Sequence, residues 1–379
     1  MVFLGTRSTN VIHESTTCSR NGECGSSERQ VVEAKRSKRP HLVSWLVLAL
    51  GLSLISSFTG CHGRGDGPSP PKVTLRQEWF PNANYSGALF ASRIFAPEHG
   101  IQLQVDAGSD QIDPVKLVIT GQDTFGDASA DKVLVADQQG ADLVIIGAVS
   151  YVSPTVFITK RDSHIRTPKE FEGKRVGVLT GTNTEYVYRT LLAKSGVDKS
   201  KIKELEIPFD LTSFITTDQY DVRPAFIYDE PVSLDLKEIK YNLIEPRNFG
   251  VSFIGTVYFT KRSTIEDHPA LVQSFVSSVA EGWRASLRHK SDAIHYLKEY
   301  DKDTDENREL LSLQKGESYF SGKNGKILWA DLDDWQEMVK ELQDLAILRR
   351  DFNVSHFIDN EFLIREYAAN PGGTNDLQN

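Results

Sequence analysis

Sulfur is scarce in this chain. Its 379 residues include three cysteines and two methionines, and Cys18, Cys24 and Cys61 all lie within the first 61 positions. A disulfide-stapled scaffold is excluded by so few and so bunched cysteines, and the body holds no thiol to act as a nucleophile. An excess of positive charge is also missing. Lys and Arg number 43 against 52 Asp and Glu, a formal net charge of -9, so there is no chain-wide nucleic-acid footprint. No GxSxG, Walker or GxGxxG pattern occurs. His289 and His295 are six positions apart, and His62 and His99 stand in no arrangement of metal-ligand spacing. No repeat of 20–50 residues appears, which excludes a solenoid. What is present is ordinary for a soluble, core-burying protein of two or three domains: 39% hydrophobic and 25% charged residues.

The N-terminal segment departs from that pattern. Lys35, Arg36, Lys38 and Arg39 precede LVSWLVLALGLSLISSFTG, residues 42–60, which carries no charge. A basic cluster, an apolar run and then small residues is the order of an export signal. Phe58-Thr59-Gly60-Cys61 resembles a bacterial lipobox, in which cleavage precedes a cysteine that receives acyl chains. Residues 1–60 are therefore expected to be a leader and lipoprotein signal peptide. Cys61 is the expected lipidation site, and 61–71, with its HGRGDGPSPP, a flexible tether. Removing 1–60 makes the chain more acidic still, because that segment is net basic.

From Lys72 short β-branched runs (VTLRQEWF, IQLQV, DLVIIGAV, TVFIT, RVGVL) alternate with stretches of helical spacing. Gly100 and Gly140 stand where helix C-caps want glycine. The alternation predicts an α/β protein with largely parallel sheets. After His268 helices dominate. Pro269 opens one whose apolar face is Leu271, Val272, Phe275, Val276, Val279, Trp283 and Leu287, and others are expected over 291–299, 304–314, 331–347 and 359–368. The tail, 369–379, is expected to be disordered.

LRQEWFPNANYSGALFASRIFAPEHGIQLQV resembles the opening of the periplasmic substrate-binding proteins of ABC importers, in the branch that binds thiamine-pyrimidine precursors beside the nitrate, sulfonate and taurine binders. Trp79, Pro81, Asn82 and Gly87 carry that likeness. It continues through TPKEFEGKRVGVLTGTNTEYVYRTLLAKSGVD, RPAFIYDEP, FGVSFIGTVYFT and HPALVQSFVSSVAEGWRASLRHKSDAIHYL, covering roughly Lys72 to Phe362. The resemblance implies a two-lobe, Venus-flytrap α/β fold of type II with two hinge crossings, expected near 157–160 and 254–259. Lobe one would be 72–157 and 257–368, and lobe two 158–256.

Such a fold binds its ligand between the lobes. A pyrimidine is a flat ring with donors and acceptors on its edge, and it wants an aromatic platform and a few placed polar groups. Trp79, Asn82, Asn84 and Tyr85 fall in the first strand-to-helix turn, where cleft residues belong. Asp127 and Ser129 fall in a later one, where either side chain would also cap the helix starting at 130. Thr182, Asn183 and Thr184 sit in a loop whose N–H groups are expected to cradle a phosphate, sulfonate or polar ring substituent, with Thr182 or Thr184 as cap. Tyr228 and Glu230, in IYDEP, are implied to face Trp79, with the Glu230 carboxylate accepting N–H donors of an aminopyrimidine. Tyr151, beside the first crossing, is the remaining candidate, with a hinge or core role as the alternative.

The expectation is an exported, monomeric, lipid-anchored receptor in the periplasm or on the outer face of the cytoplasmic membrane. It passes a pyrimidine-type ligand to an ABC permease, without metal or cofactor; riboflavin and sulfonate or nitrate are alternative ligands. Pyrimidine-precursor synthases share the fold but carry a pyridoxal-phosphate lysine, a consumed histidine and a cysteine run. Those positions align with Ala128, Lys132 and residues 251–256, where none of these groups is present. On that basis the chain is expected not to be an enzyme.

Overall fold

The strand–helix alternation that starts at Lys72 resolves into two separate five-stranded sheets. The computed structural model describes residues 69–370. The signal segment, Cys61, most of the tether and the PGGTNDLQN tail lie outside the described residues. The chain begins in β1 (Lys72–Arg76), and a 3-10 turn leads to α1 (Ser86–Phe90). A π turn at Ala91–Phe95 then joins α1 to α2 (Ala96–Glu98). Next come β2 (Gln102–Asp106), α3 (Pro114–Ile119), β3 (Phe125–Ser129), α4 (Ala130–Gln138) and β4 (Leu143–Ala148). The second sheet's region runs β5 (Thr155–Lys160), β6 (Arg175–Val178), α5 (Asn183–Lys194), β7 (Lys203–Glu206) and α6 (Thr212–Thr216), then β8 (Val222–Phe226), α7 (Glu230–Leu236) and β9 (Tyr241–Ile244). The chain then returns as β10 (Thr256–Lys261) and ends in helices: α8 (Arg262–Asp267), α9 (Pro269–Arg288), α10 (Lys290–Tyr300), α11 (Glu306–Phe320), α12 (Leu332–Asp344) and α13 (Glu361–Ala369).

Strand order is β2-β1-β3-β10-β4 in the first sheet and β7-β6-β8-β5-β9 in the second. Each sheet has a parallel part and one antiparallel intruder. β10 runs against both β3 and β4, and β5 against both β8 and β9. The intruders are the strands that follow each passage between sheets. All of β5 belongs to the second sheet, so the chain leaves the first after Ala148. The passage at 149–154 is therefore earlier than the 157–160 expected from sequence, and the return occupies 250–255. The apolar run TVFIT reads the same as a strand of either lobe, and only its pairing with β8 and β9 assigns it. The two passages bond to one another: the Gly255 N–H donates to the Ser150 carbonyl at 2.9 Å, and the Ser153 N–H to that of Phe253 at 2.6 Å.

The run VTLRQEWF is also shorter as a strand than its composition suggests. β1 ends at Arg76, and at Glu78 the backbone N–H turns to the Asp127 carboxylate, 2.9 Å away. That one side-chain acceptor pulls the chain off the sheet and sets up the cleft. The glycine-capped helix ends are as expected, with Gly100 and Gly140 at φ of 74° and 93°, a region that a Cβ disfavours.

The helical face read after Pro269 packs the long helix into the first lobe, with Val272, Phe275, Val276, Val279, Trp283 and Leu287 buried and Leu271 at its margin. α1 and α9 approach through Gly87 and Gly282. A Cβ on Gly87 would lie 2.3 Å from the Trp283 ring, and one on Gly282 would lie 2.3 Å from the Gly87 carbonyl oxygen. Trp283 has no exposed surface into which to retreat. The Gly87→Ala variant is thus expected to lose about 1–3 kcal/mol through overpacking. Urea unfolding checks this, and a midpoint equal to that of the parent would show that the helices separate freely.

Candidate functional site

The loops that follow β1, β3, β6 and β8 open toward a cleft of about 830 Å³ between the two sheets, at the carboxyl ends of strands where α/β sheets bind ligands. Trp79, Asn82, Asn84 and Tyr85 line it from the first lobe, with Asp127 and Ser129 beside them. Thr182, Asn183 and Thr184, then Tyr228 and Glu230, line it from the second. Tyr151 does not line it; its half-buried ring lies near Tyr319.

Aromatic rings form much of the wall. Trp79 meets Phe209 of the other lobe at 5.7 Å between ring centres. Tyr228 stacks on Phe320 at 5.4 Å, and Phe320 stacks on the buried Trp283 at 4.8 Å. The cleft platform is thereby continuous with the first lobe's core, which fixes its position. Tyr85 is buried, and its hydroxyl accepts the Trp79 N–H, so it holds the turn that carries Trp79.

Several candidate side chains are occupied with structure. Asn82 caps the 3-10 turn, its Oδ1 accepting from the Asn84 N–H at 2.8 Å and its Nδ2 donating to the Phe80 carbonyl. Ser129 and Thr182 occupy N-cap positions without a side-chain cap bond. Ser129 instead gives its N–H to Glu78, and the Thr182 hydroxyl donates to the Leu179 carbonyl and meets that of Thr184. Glu230 does not reach into the cleft with free oxygens. One takes the Phe226 N–H at 2.8 Å, and the other pairs at 3.1 Å with Arg223, which is fully buried. Burial pushes the Glu230 carboxyl up to about 7, and the Arg223 guanidinium works against that rise. Three N–H groups of the loop at 180–184 are likewise in use within the chain. Glu206 takes the Thr180 N–H, Glu185 the Gly181 N–H and the Leu179 carbonyl the Thr182 N–H.

Asn84 keeps an acceptor in hand. Its Oδ1 is buried without a partner, although the side chain also reaches the Tyr228 hydroxyl. Asn183 ties the lobes together. Its Nδ2 donates to Asp131 of the first lobe at 2.5 Å, and its Oδ1 faces the Ser153 and Thr155 hydroxyls.

Sequence reasoning named Asp127 and Glu230 but passed over the other charged residues of the site. Glu78 receives the Ser129 N–H and lies 3.4 Å from Lys132, which also pairs with Asp113. On α11, Glu309 accepts the Ala83 N–H at 2.7 Å, and Arg308 bridges Glu309 to Asp229 of the second lobe. Burial raises the carboxyls of Glu78, Asp131 and Glu309. It also pushes Asp127 well above the usual carboxylate range, with the Glu78 charge adding to the effect. Glu78, flanking Trp79, and Asp131, two positions past Ser129, had a signal in their spacing. Arg308 and Glu309 had none.

Solved structures share this architecture. The putative periplasmic sulfonate-binding protein of a Methylobacillus flagellatus ABC transporter superposes with a TM-score of 0.64 at 12% identity, covering 82% of this chain and 96% of that one. The periplasmic aliphatic sulphonate binding protein of Escherichia coli gives 0.60 at 14%, over 77% and 93%. The fold is thus that of the two-lobe periplasmic binding proteins. A curated relative, the 4-amino-5-hydroxymethyl-2-methylpyrimidine phosphate synthase of Legionella pneumophila, is 22% identical over 296 residues, 77% of this chain and 92% of that protein. That relative overturns the expectation that the chain is not an enzyme. Absence of the lysine, histidine and cysteine run excludes one route only, and a protein alike over nearly its whole length is named as a synthase. The sequence profile of one family matches residues 94–293, more than half of the sequence and both sides of the cleft, and so the chain belongs to the NMT1/THI5-like family.

Proposed function

We propose that the chain captures a thiamine-pyrimidine precursor, of the hydroxymethylpyrimidine or formylaminopyrimidine type, between its lobes and delivers it to an ABC permease as an exported lipoprotein held by Cys61. One observation carries the ligand class: an enclosed cleft walled by Trp79, Phe209, Tyr228 and Phe320, with an unpaired Asn84 acceptor on its edge. Flat rings gain from aromatic faces, and a few placed polar groups orient them. Calorimetry with 4-amino-5-hydroxymethyl-2-methylpyrimidine is expected to give saturable binding, weakened about tenfold or more by Trp79→Ala, as loss of a central aromatic anchor implies. No heat from the parent protein, or equal affinity in the variant, would remove the ring-binding reading.

The Legionella relative favours a second reading, in which the same cleft acts chemically on a pyrimidine. Pyridoxal phosphate does not fit the residues at the aligned position: Ala128, on β3, is buried in the core and does not line the cleft. Chemistry in this chain would have to use groups that are present. Mass spectrometry separates the two readings, because a receptor returns its ligand unchanged and a synthase releases a new pyrimidine.

A further inference from the structure

Among the described residues, eight carboxylates line the cleft against two cations, Lys132 and Arg308. Both cations are spoken for, Lys132 by Glu78 and Asp113 and Arg308 by Asp229 and Glu309. Four of the backbone donors that an anion would seek are also taken, each by a carboxylate of the chain itself. The Glu78 N–H goes to Asp127, that of Ser129 to Glu78, that of Ala83 to Glu309 and that of Gly181 to Glu185, all at 2.7–2.9 Å. A phosphate or sulfonate entering here meets like charge and no free donor among these groups, and such juxtaposition is strongly unfavourable.

What is left unsatisfied is mainly acceptor capacity, with one hydroxyl that can also donate. Asp127 is 1% exposed, lines the cleft and has no cation partner, its one bond being from the Glu78 N–H. The Asn84 Oδ1 is buried and unpartnered. Independently, Ser312 on α11 is 1% exposed and lines the cleft with a hydroxyl that has no partner. A buried carboxylate without a counter-charge is costly, and a ligand that brings N–H donors and positive charge removes that cost.

We propose that the cleft selects a flat cationic ring, an amidinium-type or ring-protonated aminopyrimidine whose N–H groups fall on Asp127, and that it rejects ligands bearing phosphate or sulfonate. This rests on the cleft being the ligand site and sharpens the ligand class within it. Charge-assisted bonds are the strong ones, and the negative lining draws cations to the mouth.

Calorimetry at pH 7 with four probes tests the charge: 4-amino-5-hydroxymethyl-2-methylpyrimidine, its phosphate ester, benzamidine and the neutral isostere benzamide. The alcohol is expected to bind with the ultraviolet spectrum of the protonated ring, and its ester about 100-fold more weakly or not at all. Benzamidine is expected to exceed benzamide by about tenfold or more. Asp127→Asn is expected to remove that preference, weakening benzamidine about tenfold or more. An ester as tight as the alcohol, or a neutral bound ring, overturns the charge inference and leaves the pyrimidine reading standing. Benzamidine binding without either pyrimidine overturns the pyrimidine reading and leaves the charge inference. No binding by any probe overturns both.

Discussion

Replacing Arg223 by methionine is expected to destabilise the protein by about 3–5 kcal/mol, the range for removing one partner of a buried ion pair. The guanidinium has no exposed surface and makes four bonds: to the carbonyls of Phe209, Asp210 and Pro224, and to Glu230. Two consequences separate on pH. The three carbonyls lose their donor at any pH. Glu230 behaves differently, because its carboxyl is already pushed up to about 7 by burial. Without Arg223 it stays protonated in mild acid at little cost, and it has to ionise alone in an apolar site at higher pH. The deficit is therefore expected to be larger at pH 8 than at pH 5. Urea denaturation at both pH values measures it. A loss under about 1 kcal/mol at pH 8 would mean that water replaces the guanidinium. Phe209 is held through its carbonyl and meets Trp79, so the variant also loosens one wall of the cleft.

Asp127→Asn is expected to act in the opposite sense, stabilising the ligand-free protein on the order of 2 kcal/mol at pH 8 by removing an unpaired buried charge. The amide oxygen still accepts the Glu78 N–H, so the turn keeps its anchor. The carboxyls of Glu78, Asp127, Asp131, Glu230 and Glu309 all lie above their ordinary values, chiefly through burial. A raised acid binds more protons folded than unfolded. Its contribution to stability is complete below the unfolded pKa, near 4, and is lost as pH rises through the folded value, about 7 for Glu230. Surface acids work the other way, as with Glu172, lowered to about 2 by the Asp198 N–H and by lysines, but their gain is already fully present above about pH 4.5. Between pH 5 and 7.5 the ligand-free protein is thus expected to become less stable, and Asp127→Asn to flatten the decline. Parent stability rising over that interval, or a variant weaker than its parent at pH 8, would contradict the account. A more stable protein that binds less well is the usual relation between strain and function.

The parts of this molecule that were legible in its sequence are those with a local cause. β4 and β5 are continuous apolar runs because both faces are covered, and the glycines at 100 and 140 mark helix ends by their backbone alone. Trp79, Asn84, Asp127 and Asn183 line one cleft because the strand-to-helix turns of an α/β chain converge on it. Other residues depend on distant partners. Arg223 reads as an exposed strand residue until the 209–210 loop folds over it. Glu309 reads as a helix surface charge, yet it caps a turn 226 positions away. Glu230 shows the converse: its neighbours and its place in the order both suggested a ligand contact, and a buried arginine already uses its charge. Local pattern conveys where a side chain points more readily than whether its bonding capacity is already spent.

The bonded pair of passages at 149–154 and 250–255 makes the second lobe an insert with a single seam. Ala148 and Val257 are direct partners in the first sheet, so the points where the chain departs and returns are neighbours. The two connections are bonded to each other through Ser150 and Gly255, which couples them wherever one lobe bends against the other. The same seam gives the chain a modular construction. A first lobe whose sheet closes without residues 155–249 is a host, and the segment it carries is a guest that can be exchanged at that joint, changing half of the binding surface while leaving the other half in place.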